Sequence, residues 1–128
     1  MKVLLINGSP RANGNTSIAL AEVAKTLEAE GISAEVIDIA TIKPLDEEAV
    51  IASAKKTGAV VCAEEHNTCG GLGELVAGVL AANAPTPMEF INGADRFGQS
   101  GTPAELMKVY GLDAEHIVEA AKKAVARK

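Results

Sequence analysis

Lys2-Val-Leu-Leu-Ile-Asn7, followed at once by Gly8-Ser9-Pro10, decides the fold. Its unbroken apolar run has no alternation, so it suits a strand covered on both faces, as strands of parallel sheets are. Turn residues stop it abruptly. Beyond the polar stretch Asn13-Gly14-Asn15-Thr16-Ser17, the residues Ile18, Leu20, Ala21, Val23, Ala24 and Leu27 recur at helical spacing. Gly31 stands where a helix closes in the left-handed conformation. The opening unit is therefore strand, loop, helix.

The same unit recurs downstream. Ala34–Ile39 reads as a second strand and Ala59–Ala63 as a fully apolar third. Between them Asp46 is placed to cap a helix whose first turn carries Glu47 and Glu48, and Gly58 ends it. The Gly-rich stretch 64–73 leads into a helix to about Ala82. Pro87–Ile91 reads as a fourth strand, at an edge because Pro85 and Pro87 could not sit in a central ladder. Thr102-Pro103-Ala104-Glu105 starts a helix to about Tyr110. Asp113 caps a last helix with Ile117, Val118, Ala121 and Val125 on one face. This is a three-layer α/β/α domain over residues 1–128, with a doubly wound parallel sheet of four strands in order 2-1-3-4 and two further helices. The winding reverses between strands one and three, where ligands of such sheets bind.

Composition narrows the function. The 128 residues are 48% apolar, enough for a core that hides about two-thirds of the unfolded surface. Aromatics are only 2% (Phe90, Phe97 and Tyr110), which leaves little to stack on a flat cofactor. Twelve basic and 17 acidic residues give a net charge of −5, a poor basis for nucleic-acid binding. Lys122, Lys123, Arg127 and Lys128 are read as offsetting the dipole of the last helix. No apolar run approaches the ~20 residues of a membrane span, and Met1–Ile6 is too short for a signal peptide. Cys62 and Cys69 make no disulfide framework, so a cytoplasmic setting is expected.

The loop after strand one carries the chemistry. Backbone N–H groups at a helix start, with the positive dipole end behind them, suit a phosphate. Ser9, Asn13, Asn15, Thr16 and Ser17 add donors and Arg11 adds charge. Gly8 is read as permitting a tight turn and Gly14 as relieving crowding. The pattern is neither a Walker loop nor Gly-x-Gly-x-x-Gly. A polar turn with a helix cap remains the alternative. Across the winding point, Glu64 and Glu65 would oppose a bound anion, since like charges at contact cost ~1 kcal/mol or more. His66 is read as structural rather than as a base, and Gly70-Gly71-Leu72-Gly73 as a tight turn. Cys62, Glu64, His66 and Cys69 match no zinc spacing, so no metal site is expected. His116 should face solvent.

Two resemblances add to this reading. Val3-Leu-Leu-Ile-Asn-Gly-Ser-Pro-Arg-Ala-Asn-Gly-Asn-Thr16 resembles the opening of NADPH-dependent FMN reductases and related flavodoxin-like flavoproteins, over roughly residues 1–30. It implies a flavodoxin-like fold and a cofactor-binding set of Ser9, Arg11, Asn13, Asn15, Thr16 and Ser17 around an FMN phosphate. The family's ring-flanking segment is missing. From about residue 31 onward the chain instead resembles transketolase C-terminal domains and deoxyxylulose-phosphate synthase. Thr41-Ile-Lys-Pro-Leu-Asp46, Ala63-Glu-Glu-His-Asn67, Gly70-Gly-Leu-Gly73 and Asp95-Arg-Phe-Gly-Gln-Ser-Gly-Thr-Pro103 carry that likeness. In transketolases this domain does not carry the thiamine chemistry.

Together these resemblances imply an engineered chimera, joined between about Leu20 and Ile37. The expected function is a domain without catalytic activity whose loop weakly binds a phosphate-bearing small molecule, at most the phosphate end of FMN. The alternatives are an FMN-dependent NAD(P)H reductase and a transketolase-derived interaction module acting through a partner subunit.

Overall fold

The computed structural model describes residues 1–8, 15–39, 45–64, 71–91 and 114–128, with the side chains of 15–17 excepted. Strand β1 (Lys2–Asn7) takes the centre of the sheet because both sets of its alternating side chains find apolar cover. It pairs in parallel with β2 (Ser33–Asp38) on one side and β3 (Val60–Ala63) on the other. Strand β4 (Met88–Ile91) pairs in parallel with β3, giving the order β2-β1-β3-β4. The predicted topology is the one observed.

Among the described residues, four helices close the two faces. Helix α1 (Asn15–Ala29) and helix α4 (Ala114–Ala126) cover Val3, Leu5, Val61 and Ala63, with Leu20, Val23, Leu27, Ile117 and Ala121 interleaved. Helix α2 (Glu47–Thr57) and helix α3 (Leu72–Asn83) cover Leu4, Ile6, Val60 and Cys62 through Val50, Ala54, Val76 and Leu80. Odd residues of β1 face one layer and even residues the other, as the period of two requires. Each such fully buried Leu, Ile or Val contributes about 1.5–3 kcal/mol of transfer free energy.

Helix ends follow the local chemistry. Ile32 N–H donates to Leu27 C=O at 2.9 Å and Gly31 N–H to Glu28 C=O at 3.1 Å, with Gly31 at φ 83°. That is a Schellman closure, and the buried Leu27 and Ile32 supply its apolar contact. Asp46 Oδ1 accepts from Ala49 N–H at 3.1 Å, as an N-cap should, and Gly58 closes α2 at φ 78°.

Two expectations fall on residues that are not described, and one is extended. The helix expected at 102–110 and the cap at Asp113 lie outside the described residues. The basic residues at the end of α4 and just beyond it do more than offset its dipole, because each reaches an acceptor on another element. Lys122 pairs with Glu30 of α1 at 3.0 Å, while Lys123 and Arg127 pair with Glu89 of β4 at 3.7 and 2.9 Å. Lys128 donates to the Lys2 carbonyl at 2.8 Å. Among the described residues, no helix is long and apolar enough to cross a membrane.

Candidate functional site

The carboxyl ends of β1 and β3 meet where the winding reverses, and there the chain turns its polar groups inward. Asn7, the last residue of β1, is buried and donates from Nδ2 to Asp38 Oδ1 at the end of β2, at 2.8 Å. Its carbonyl accepts from Ile39 N–H at 3.0 Å, so β1 and β2 are tied to their last residues. Gly8 N–H continues the ladder to the Ala63 carbonyl at 2.9 Å.

Gly8 is needed for space, and the turn expected after it lies outside the described residues. A Cβ on Gly8 would lie 3.0 Å from Glu64 Cβ, 3.1 Å from Leu72 Cδ2 and 3.3 Å from the Ala63 oxygen, and its φ is not left-handed. The β1 exit and the start of α3 therefore pack backbone against side chain.

Glu64 is the residue whose part the sequence did not disclose. It is only 4% exposed, and its carboxylate faces the start of α3. Oε1 accepts from Leu72 N–H at 3.0 Å and Oε2 from Gly73 N–H at 2.6 Å. Gly71 occupies the N-cap position and has no side chain to serve those donors, so Glu64, an acidic residue seven positions upstream, does it. The negative charge also meets the positive end of the helix. A signal was present in the sequence, since a helix opened by glycines needs its cap from elsewhere. Gly73 is required as well, because a Cβ would lie 2.6 Å from Phe90 Cδ1.

This geometry limits the chemistry. Cys62 Sγ lies 3.9 Å from Glu64 Oε2. Burial, reinforced by the Glu64 charge, pushes the thiol well above its ordinary range, so it stays protonated and is a poor nucleophile or metal ligand. No group of three or more metal-binding side chains occurs among the described residues. His116 is exposed, as expected. Glu65, His66 and Cys69 lie outside the described residues, as do Ser9, Arg11 and Asn13. Asn15, Thr16 and Ser17 form the first turn of α1, which places their backbone at the switch point; their side chains are outside the described set.

The family model described as transketolase, C-terminal domain matches residues 12–117. The chain belongs to this family. Its 6-deoxy-6-sulfo-D-fructose transketolase subunit SqwH relative from Clostridium sp. (strain MSTE9) is 45% identical over 116 residues, which are 88% of this chain and 36% of that protein. A putative transketolase C-terminal section from Methanocaldococcus jannaschii is 46% identical over 94 residues, 73% of this chain and 29% of that one. A solved structure described as a split gene transketolase, inactive beta4 tetramer, superposes with a TM-score of 0.86 at 43% identity. It covers 98% of this chain, which spans 39% of that one. The chain thus spans about a third of the length of these relatives.

These matches overturn the engineered-chimera reading. The family match begins at residue 12, inside the segment assigned to the FMN reductases, and one transketolase structure accounts for 98% of the chain. The architecture agrees, because β1 pairs in full register with β2 and α1 packs against α4 in one core. The opening unit is an integral part of a transketolase C-terminal domain. The FMN expectation and the reductase alternative rested on the resemblance of residues 1–30 and lose that basis. The transketolase-derived alternative is the one the matches favour.

Proposed function

We propose that this transketolase C-terminal domain is an assembly-forming section of a multi-part transketolase, with the thiamine chemistry carried by other sections of the enzyme. The observation that carries this reading is the likeness to a split gene transketolase over 98% of this chain but 39% of that one. The corner described above supports it: Glu64 is committed to the α3 N–H groups and Cys62 is held as the thiol. Neither is available for proton transfer or nucleophilic attack.

The reading is tested by grafting. The matching section of the Clostridium SqwH subunit is replaced by this chain, and assembly and ketol transfer are measured beside the intact and truncated subunits. The graft is expected to restore both. A graft that folds yet behaves as the truncated subunit overturns the proposal. Within the module, Ser9, Arg11, Asn13, Asn15, Thr16 and Ser17 remain our proposed anion loop. Inorganic phosphate should then raise the melting midpoint with concentration, and an unchanged midpoint at millimolar phosphate removes that assignment.

A further inference from the structure

Arg127, the residue after α4, reaches the outer edge of β4. In the β3–β4 ladder, Val60 N–H donates to the Pro87 carbonyl and Glu64 N–H to the Ile91 carbonyl, both at 2.9 Å. Residues 87, 89 and 91 therefore turn their backbone groups toward β3. By the alternation of a strand, Met88 and Phe90 turn theirs away, to the outer edge of the sheet as described. Such a row of outward donors and acceptors is a template for another strand. Phe90, 40% exposed, adds apolar surface beside it.

One of those outward acceptors is taken. Arg127 Nη2 donates to the Met88 carbonyl. The same nitrogen lies 2.9 Å from Glu89 Oε1, and Lys123, one turn earlier on α4, lies 3.7 Å from Glu89 Oε2. The carboxylate of Glu89 thus aims the guanidinium across the edge, and Lys123 helps to fix the carboxylate. Arg127 reaches a backbone oxygen and a side chain together because its fork presents several donors in one plane.

We infer that Arg127, aimed by Glu89, is a guard that keeps β4 from adding to β4 of a second copy of this chain. Natural sheets protect edges with charged side chains, and here the charge comes from the residue that follows α4. The inference does not depend on the proposed transketolase role.

The test compares Arg127→Ala with Lys122→Ala. Both remove one positive charge from the C-terminal segment, but Lys122 pairs with Glu30 of α1 rather than with Glu89 of β4. Light scattering after size exclusion, over a hundredfold range of protein concentration, reads the mass. R127A is expected to gain mass in multiples of the wild-type particle as concentration rises, while K122A matches wild type throughout. A third variant, Met88→Pro in the R127A background, removes an outward N–H that the β3 ladder does not use, and is expected to return the mass to the wild-type value. Equal masses for R127A and wild type overturn the inference, and so does association that M88P leaves intact. Should R127A fail to fold, Glu89→Gln takes its place. It keeps the side-chain volume and loosens the guanidinium, and it must show the same concentration-dependent gain for the guard to stand.

Discussion

Two helices begin at the same end of the sheet, one after β1 and one after β3, and they are served differently. Helix α3 is opened by glycines and receives its acceptor from inside the protein, the buried carboxylate of Glu64. Helix α1 follows a loop rich in hydroxyl and amide side chains and begins beside β1, the strand at the winding point. In sequence the loop before α1 reads as an anion cradle and the glycines before α3 as a tight turn. An internal carboxylate already neutralises the start of α3, so that end needs no ligand, and the search for an external anion narrows to α1. A helix start is an anion site only when the chain has not supplied the anion itself.

The sharpest way to break this contrast is to remove the internal anion. Glu64→Ala leaves two buried N–H groups without acceptors and opens a void, and is expected to cost ~3 kcal/mol in urea denaturation. Glu64→Gln keeps one carbonyl acceptor and should cost roughly half as much. If E64A costs less than about 1 kcal/mol, something else caps α3 and the contrast fails. Gly73→Ala comes next, at about 2 kcal/mol, because its Cβ meets the Phe90 ring at 2.6 Å. A double-mutant cycle with Phe90→Ala should recover part of that loss, since the clash is with the ring itself. Gly78, five residues along the same helix, has open space around its Cβ position. Gly78→Ala should therefore stabilise the fold by about 0.5–1 kcal/mol. Opposite signs at two glycines of one helix separate close approach from mere conformational freedom.

How much of this was legible follows from what each feature depends on. The order 2-1-3-4, the Asp46 cap, and the closures at Gly31 and Gly58 depend on patterns within a few residues, and they were read correctly. The roles of Gly8 and Glu64 depend on β1 and β3 being neighbours, which brings Gly8 against Glu64 Cβ across 56 positions of sequence. A turn residue and a repulsive carboxylate were reasonable local readings; the contact that sets both roles is tertiary. The partners of the basic residues at the C-terminus were not legible for the same reason, since Glu30, Glu89 and the Lys2 carbonyl are distant in sequence. The chimera reading failed differently. The loop of residues 3–16 resembled a second family, but a loop that opens one parallel unit can recur across doubly wound families. Its likeness said more about the task of leaving a strand than about descent.

The smallest effect expected comes from a carboxylate that is more exposed than Glu64. Glu35 of β2 accepts from Ser53 Oγ at 2.6 Å and lies 2.8 Å from Lys56 Nζ, with its side chain 30% exposed and that of Lys56 63% exposed. The Lys56 contact first, and the Ser53 hydroxyl second, hold its carboxyl below the ordinary value of 4.5. A carboxyl whose folded pKa is depressed adds stability above its unfolded pKa and loses it as pH falls through the folded one. The wild-type protein should therefore lose this increment in acid, whereas Glu35→Gln should be less stable at neutral pH and lack that part of the acid slope. Because the pair is largely in water, the difference at pH 7 should stay below about 1 kcal/mol and shrink further in molar salt. Both Glu64 and Glu35 accept two hydrogen bonds, yet burial sets what each contributes. Urea midpoints for E64A and E35Q, measured at the same pH and salt, should differ severalfold in their distance from wild type. A comparable loss at the two sites would mean that neither burial nor the α3 N-terminus distinguishes Glu64 from an ordinary surface carboxylate.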